Sequence, residues 1–158
     1  MTARIIDGKQ IALEIRKEIG EAVSSLSQQG LRPPGLAVIL VGQNPASTFY
    51  VKSKSKACAE AGIFSQQIDL AETISQDELL KHIDQLNADD KIDGILVQLP
   101  LPQHIDELKV IDAISPEKDV DGFHPVSTGN LSLGRETFIP CTPLGVRELL
   151  IRSDVETS

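Results

Sequence analysis

The sequence has 158 residues, of which 41% are hydrophobic, 24% are charged and 3% are aromatic. This length and composition suit one globular domain with an aliphatic core. The formal net charge of -8 argues against a general nucleic-acid binder and against binding to anionic membranes, because both need a basic face. An anionic small ligand remains compatible with this charge if positive charge is local.

Signals for metal binding, secretion and membrane insertion are missing from the sequence. Cys58 and Cys141 belong to no C-x-x-C or Cys/His cluster, so we expect no metal site. Cys58 lies in an alanine-rich stretch and is predicted to be a small core residue. The amino terminus has no long apolar run, so we expect neither a secretory signal nor a membrane span, and a cytoplasmic location.

Hydrophobic periodicity and turn residues predict an alternation of helices and strands. Ser47 or Thr48 can cap the helix that follows the turn at Asn44, and Gly62 ends it. In chain order the predicted elements are helix 8–28, strand 36–41, the helix ending at Gly62, strand 63–70, a helix opened by the Ser75–Glu78 capping box, strand 92–100, helix 104–114, and a last helix opened by Thr142 and Pro143.

Apolar spacing predicts which helix faces are buried. The first helix, capped by Asp7, carries its apolar face at Ile11, Leu13, Ile15, Ile19, Val23 and Leu26. Inward positions of the two later helices are Leu108, Ile111, Ile114, Leu144, Val146, Leu149 and Leu150. Segment 119–141 is predicted to be irregular, and connections of this length are usually functional or mobile.

The order of these elements predicts the fold class. Strands that alternate with helices imply parallel pairing and right-handed crossovers. We therefore predict an α/β fold with a mostly parallel β-sheet and helices on both faces, in three layers. In open sheets of this kind, ligands bind at the carboxyl ends of the strands.

Tyr50 and Lys54 lie four residues apart on the second predicted helix, so they share one face near that sheet edge. Lys54 is either a surface lysine or a partly buried amine that acts as an acid or base. Lys52 and Lys56 lie around the helix from Tyr50 and are interpreted as a solvated face. The sequence alone leaves both roles of Lys54 open.

Four further polar residues lie in or after the third predicted strand. Gln98 has apolar neighbours and must be hydrogen-bonded, and strand geometry predicts a contact with Lys54. Asp119 and Asp121 precede a glycine, so they serve either turn chemistry or a ligand's N–H groups. His124 is either a base or a structural residue.

Familiar catalytic motifs are absent: the sequence has no G-x-G-x-x-G, P-loop, H-E-x-x-H or G-x-S-x-G. The Tyr50-x-x-x-Lys54 spacing is also that of the catalytic pair of short-chain dehydrogenases. Those enzymes place the pair after an amino-terminal glycine-rich nucleotide loop, which this sequence lacks. That interpretation is therefore rejected.

Five motifs together resemble the amino-terminal catalytic domain of bifunctional methylenetetrahydrofolate dehydrogenase/methenyltetrahydrofolate cyclohydrolase, of the bacterial FolD type. In chain order they are Val41–Ser47 (VGQNPAS), Tyr50–Ala57 (YVKSKSKA), Asp93–Pro102 (DGILVQLPLP), Lys118–His124 (KDVDGFH) and Pro140–Pro143 (PCTP). They span most of the chain. The resemblance implies a role in one-carbon metabolism that serves purine, histidine and methionine biosynthesis.

The resemblance also implies roles for single residues. Lys54 would be the catalytic lysine, Tyr50 would stack on the folate ring system, Gln98 would position Lys54, and Asp121 would bind the pterin end. Ser47, Leu99, Pro100 and Pro102 would line the same cleft.

The chemistry of such enzymes explains these residue types. The folate methylene bridge gives a hydride to NADP, which leaves a methenyl cation, and water then opens the cation to 10-formyltetrahydrofolate. A neutral Lys54 amine suits a cationic intermediate, because a charged one would be repelled. The Gln98 oxygen can accept a hydrogen bond from that amine without adding charge.

Two departures from the family pattern limit the expectation. Ser127 and Asn130 stand where the family usually has Asn and a basic residue. The sequence also stops about where the family's NADP-binding domain begins. We therefore expect a folate-binding domain over 1–150 and the start of a linker over 151–158, with the Rossmann domain absent.

From the missing domain we expect dehydrogenase activity to be absent or very weak and NADP not to bind this chain alone, while cyclohydrolase activity could survive. Full-length members form homodimers, largely through the missing part. Two alternatives stay open. One is a folate-binding or inactive module without catalysis, and the other is the substrate domain of an amino-acid dehydrogenase.

Overall fold

The computed structural model describes residues 5–156. Within them lie three strands and six helices. They are α1 (Gly8–Gln28), β1 (Gly35–Val41), α2 (Pro45–Ala61), β2 (Phe64–Leu70), α3 (Gln76–Ala88), β3 (Gly94–Val97), α4 (Glu107–Ala113), α5 (Pro125–Ser132) and α6 (Cys141–Ile151).

The three strands form one parallel sheet in the order β2-β1-β3, with Ile39 opposite both Ile68 and Val97. Side chains of β1 alternate between two apolar clusters. One face packs against α3 and α4, and the other packs against Val51 of α2. The predicted α/β fold with a parallel sheet and helices on both faces is therefore confirmed.

The amino end of the sheet is closed by Asp93. Its carboxylate accepts hydrogen bonds from the Gly35 backbone N–H at 2.7 Å and from the Arg32 guanidinium at 2.6 and 2.8 Å. The Arg32 hydrogen bond, helped by the Gly35 N–H, lowers the pKa of Asp93 although partial burial opposes it. These bonds tie the entry of β1 to the entry of β3.

Helix starts differ from the sequence prediction in three places. Asn44, not Ser47 or Thr48, caps α2, because its side chain accepts from the N–H groups of Ala46 and Ser47. Asp106 caps α4, which begins later than predicted, and α6 begins at Cys141 after Pro140 without a side-chain cap. The Ser75–Glu78 capping box of α3 and the Asp7 cap of α1 are confirmed.

Several residues predicted to be buried are exposed. Leu13 and Ile19 of α1 are exposed because α1 packs against α2 and not directly on the sheet. Leu108 of α4 is 71% exposed, and Val146 of α6 is also exposed, since α6 has no buried residue. The buried positions of α4 and its end are Val110 and Ile114.

Segment 119–141 contains helix α5, which the sequence did not predict. His124 caps it through its ring Nδ1, which accepts from the Val126 N–H at 3.1 Å, and Pro125 occupies its first position. The polar sequence of α5 has little helical periodicity, so the cap and the proline carry most of its signal. Strand β3 is also shorter than predicted and ends at Val97.

Candidate active site

The carboxyl edge of the sheet brings together residues from α2, the end of β3 and the segment before α5. After β1, Gly42 adopts a positive φ of 77° and turns the chain toward Asn44 and α2. Helix α2 then carries Tyr50 and Lys54 on one face, about one turn apart. This is the edge at which the sequence predicted a ligand.

Lys54 contacts Gln98, as strand geometry predicted. The Lys54 Nζ donates to Gln98 Oε1 at 3.2 Å, and Gln98 Nε2 donates to the Leu99 carbonyl at 2.9 Å. Gln98 lies one residue beyond β3, where its backbone N–H still bonds Ile39 O at 2.9 Å. Both ends of the Gln98 amide are thus occupied, which fixes its oxygen toward the amine.

Tyr50 presents an accessible ring beside this pair. The residue is 58% exposed and forms a T-shaped ring pair with Phe49, with ring centroids 6.2 Å apart and an interplanar angle of 74°. Because more than half of the residue is exposed, ring surface of Tyr50 is accessible for stacking with a flat ligand.

The segment after Gln98 forms a hydrogen-bonded turn. Leu99 and Pro100 are joined by a cis peptide bond, and Leu101 is buried behind them. The Leu101 N–H donates to the Glu107 carboxylate at 3.1 Å, and the Pro102 carbonyl accepts from Ile105 at 2.9 Å. These bonds hold Leu99, Pro100 and Pro102 beside Gln98.

Asp121 is partly buried on the other side of the edge. Burial raises the pKa of its carboxyl group above the ordinary value, the Lys54 charge opposes this, and the Asp119 charge adds to it. Gly122, with φ of 68°, makes the turn that follows. Asp121 and Leu99 also line a cavity of about 20 Å³ beneath β3 and α4, roughly the room one water needs.

Cys141 at the start of α6 is a site neighbour that the sequence did not assign to the site. Its Sγ lies 3.7 Å from the Val120 carbonyl and 4.0 Å from Asp121 Oδ1. Burial, followed by the Asp121 charge, raises the pKa of the thiol. The PCTP motif gave its position in the sequence, but only the fold brings α6 to this edge.

Two other candidates have structural contacts. Asp119 is 2% exposed and accepts from the His124 N–H at 2.9 Å and the Ser127 hydroxyl at 2.8 Å. The His124 ring caps α5, which favours the structural alternative for that residue. Ser47 is 4% exposed at the first turn of α2, and its N–H is taken up by Asn44.

Among the described residues, neither a metal-binding cluster nor a membrane-spanning helix is found. Among residues 5–156, no group of three or more His, Cys, Asp or Glu side chains could hold a metal ion. Over the same range, no helix combines the length with the apolar character that crossing a bilayer requires.

A dinucleotide pyrophosphate also fits the strand-to-helix turns poorly. Binding there needs free N–H groups at a helix start. The first N–H groups of α2 and α4 are already bonded to Asn44 and Asp106, and α3 is closed by Ser75 and Glu78. Two acids in the first turn of α3 would repel a phosphate as well.

The fold and this edge are those of an open α/β domain with a candidate ligand site at the carboxyl ends of its strands. The family model of the tetrahydrofolate dehydrogenase/cyclohydrolase catalytic domain matches residues 6–121. The chain therefore belongs to that family. Membership in this family excludes the alternative that the chain is the substrate domain of an amino-acid dehydrogenase.

Named relatives agree with this membership. The chain is 54% identical over all 158 residues to the bifunctional protein FolD of Bacillus mycoides. The structure matches that of the bifunctional FolD methylenetetrahydrofolate dehydrogenase/cyclohydrolase of Campylobacter jejuni with a TM-score of 0.93 and 51% identity, over 96% of this chain and 54% of that one.

A third comparison covers 99% of this chain and 54% of the other. The Trypanosoma brucei N5,N10-methylenetetrahydrofolate dehydrogenase-cyclohydrolase, crystallised with NADP and an inhibitor, matches with a TM-score of 0.94 and 39% identity. The chain thus spans about half the length of the relatives it matches, 55% in the case of the Bacillus mycoides protein.

Proposed function

We propose that this chain is the folate-binding catalytic domain of an enzyme that interconverts 5,10-methylene-, 5,10-methenyl- and 10-formyltetrahydrofolate. The observation that carries the proposal is the 3.2 Å hydrogen bond from Lys54 to Gln98 at the carboxyl edge of the sheet. It joins an amine on α2 to a neutral, fixed acceptor after β3. Family membership supplies the substrate class.

Each site residue has a proposed part. The exposed face of Tyr50 stacks on the flat ring system of the folate. Asp121 accepts hydrogen bonds from the pterin N–H groups at the partly buried end of the cleft. Leu99, Pro100 and Pro102 form the wall between these two contacts.

Ser47 belongs to the proposed cleft by its place in the motif. Its low exposure leaves little surface for a ligand and limits its contact to the rim of the cleft.

The proposed chemistry is hydration of the methenyl cation. Water adds to the methenyl carbon and loses one proton; the bond between the carbon and N5 then breaks as N5 takes up that proton, and the remaining hydroxyl proton goes to solvent, which leaves the formyl group on N10. The Lys54 amine receives and returns the proton, and Gln98 aims the amine without placing a negative charge beside it. Ring stacking on Tyr50 fixes the distance between the carbon and the amine.

NADP enters the proposal only for the longer family members. The Trypanosoma brucei relative binds it, whereas the strand-to-helix turns described above do not suit its pyrophosphate. We therefore propose the cyclohydrolase step, which needs no nicotinamide, as the activity of these 158 residues. Residues 1–150 are proposed as the folate-binding catalytic domain and 151–158 as the start of a linker. A homodimer and a cytoplasmic location stay predictions from the sequence.

The test is a cyclohydrolase assay on the purified chain. Loss of methenyltetrahydrofolate absorbance is followed for the wild-type protein, for Lys54→Met, and for Lys52→Met as the control on the exposed face of the same helix. We expect Lys54→Met to lower the rate about 100-fold or more, as removal of a general acid–base group does. Lys52→Met should retain the wild-type rate.

Equal rates for the wild-type and Lys54→Met proteins would contradict catalysis by Lys54. Folate binding without turnover in the wild-type protein would instead support the non-catalytic alternative. A thermal shift with a tetrahydrofolate analogue separates that case from a protein that does not bind folate.

A further inference from the structure

The turn that carries Asp121, defined as residues 119–122, is held by its first residue. Asp119 is one of four buried polar or charged residues among those described, and a buried carboxylate is costly unless it is hydrogen-bonded. One of its oxygens, Oδ2, accepts both the His124 N–H and the hydroxyl of Ser127, which is itself 1% exposed. The carboxylate thus links the turn to the start of α5.

The turn is also fixed from the opposite side. The Lys118 ammonium donates to the carbonyls of Leu86, Asn87 and Asp89 at 3.1, 2.8 and 2.9 Å, which satisfies the carboxyl end of α3. The Lys118 carbonyl accepts from the Ile95 N–H of β3 at 2.8 Å, and Asp119 forms a parallel bridge with Ile95. The residues before Asp121 are therefore attached to α3, β3 and α5.

Asp121 itself has no comparable anchor. Its side-chain carboxylate is contacted at long range by Cys141 Sγ, at 4.0 Å. The close approach of Gly122 to the Phe138 carbonyl and Pro140 leaves no space for a β-carbon there, which confines the backbone after Asp121. The direction in which Asp121 points is thus set by its neighbours in the turn.

We propose that Asp119 is a positioning residue, whose buried carboxylate, bonded to Ser127 and the His124 N–H, holds the turn so that Asp121 faces the folate cleft. Asp119 does not touch the substrate, because it is almost completely buried. The Ser127 hydroxyl takes part in this positioning, because it donates a hydrogen bond to the Asp119 carboxylate. The identity of the ligand, folate, rests on the proposed function, whereas the geometry of the turn does not.

The charge on Asp119 has a second consequence that separates positioning from mere stability. The groups facing Asp121 are Lys54 on α2, Cys141 on α6 and Asp119 in its own turn. Asp119 raises the pKa of Asp121, so replacing it with neutral Asn lowers that pKa. If Asp121 binds pterin as a carboxylate, affinity is lost as pH falls through this pKa, and the loss should move to lower pH.

The experiment compares Asp119→Ala, Asp119→Asn and Ser127→Ala with Asp112→Asn, a control at an exposed carboxylate on α4. Affinity for a tetrahydrofolate analogue is measured by calorimetry, on samples whose folded fraction is known from thermal unfolding. We expect Asp119→Ala to weaken binding about tenfold or more, Ser127→Ala to weaken it less, and Asp119→Asn to restore it by keeping an acceptor.

A second readout needs no ligand. An NMR titration of the Asp121 carboxyl carbon should show a lower pKa in Asp119→Asn than in wild type, and an unchanged pKa in Asp112→Asn. If Asp119→Ala fails to fold, Ser127→Ala and Asp119→Asn still decide the matter.

Wild-type affinity in folded Asp119→Ala or Ser127→Ala, or an unmoved Asp121 titration in Asp119→Asn, would overturn the inference. If the wild-type chain binds no folate while the Asp121 titration moves as expected, the proposed function fails and the electrostatic link between Asp119 and Asp121 is supported.

Discussion

Two aspartates at opposite ends of β3 have opposite environments. Asp93, at the amino end, is bonded to Arg32 and the Gly35 N–H, and these bonds lower its pKa. Asp121, beside the carboxyl end, has among residues 5–156 only a distant thiol as a hydrogen-bond partner, and burial raises its pKa. One carboxylate has its hydrogen bonds within the fold, whereas the other is available to a ligand.

The difference extends to the neighbours of each aspartate. At the amino end, Gly35 and Lys91 approach so closely that no side chain fits between them, and Asp93 ties both strands together. At the carboxyl end, Tyr50 is exposed and Lys54 is held by one neutral contact. The sheet therefore has its tightly bonded contacts at the amino ends of its strands and its accessible candidate site residues at the carboxyl ends.

The largest effect on stability is expected at the amino end of the sheet. In Gly35→Ala the new β-carbon would lie 1.9 Å from the Lys91 carbonyl oxygen, so the strands must move apart. We expect the free energy of unfolding in urea to fall by about 3 kcal/mol, while folded molecules keep their folate affinity. Gly129→Ala on α5 is the control, because nothing lies within 4 Å of its added carbon. Equal stability of the two variants would contradict a stabilising role for the close strand contact at the amino end.

The next largest effect is expected at the carboxyl end of the sheet, where a substitution should lower the catalytic rate. Gln98→Glu puts a carboxylate beside the Lys54 amine and favours its charged form, which a cationic intermediate opposes. We expect a loss of cyclohydrolase rate of about tenfold or more with little loss of stability. Gln85→Glu on the exposed face of α3 should behave as wild type. An undiminished rate in Gln98→Glu would mean that a neutral amine is not needed.

The smallest effects are changes in the free energy of unfolding, which should have opposite signs when the two aspartates are replaced. Asp93→Asn should lower the free energy of unfolding by about 1 kcal/mol at neutral pH, since it weakens hydrogen bonds to a partly exposed charge. Its lowered pKa means that the contribution of Asp93 is present above the unfolded-state pKa and is lost as pH falls through the folded-state pKa.

Asp121→Asn should raise stability slightly at neutral pH. Because the pKa of Asp121 is raised, the folded state holds its proton longer, and stability falls as pH rises from the unfolded-state to the folded-state pKa. Urea unfolding across acidic to neutral pH measures both variants. Changes of the same sign at neutral pH would remove the contrast between the two ends.

The sequence predicted the parallel sheet and the Lys54–Gln98 contact because both follow from local signals. The apolar runs around Ile39 and Ile95 marked buried strands, and parallel pairing puts their ends at one edge. Gln98, a polar residue after a buried strand, had to find a partner, and Lys54 was the nearest donor on the adjoining helix.

What the sequence did not predict depends on contacts between distant segments. Helix α5 needs the His124 cap and the burial of Ser127 against Asp119, and neither leaves an apolar period. Asp119 and Asp121 looked alike in the motif, since only the fold decides which carboxylate is buried. Cys141 reaches Asp121 because α6 folds back, which a loop-rich segment does not reveal.

We expect the carboxyl edge of the sheet, and not the amino edge, to bind folate. An NMR titration of the labelled 158-residue chain with a tetrahydrofolate analogue tests this most directly. We expect chemical-shift changes to concentrate at Tyr50, Lys54, Gln98 and Asp121, while the shifts of Gly35 and Asp93 stay unchanged. Saturable changes centred on the amino edge, or no changes at an analogue concentration that saturates a longer relative, would contradict it.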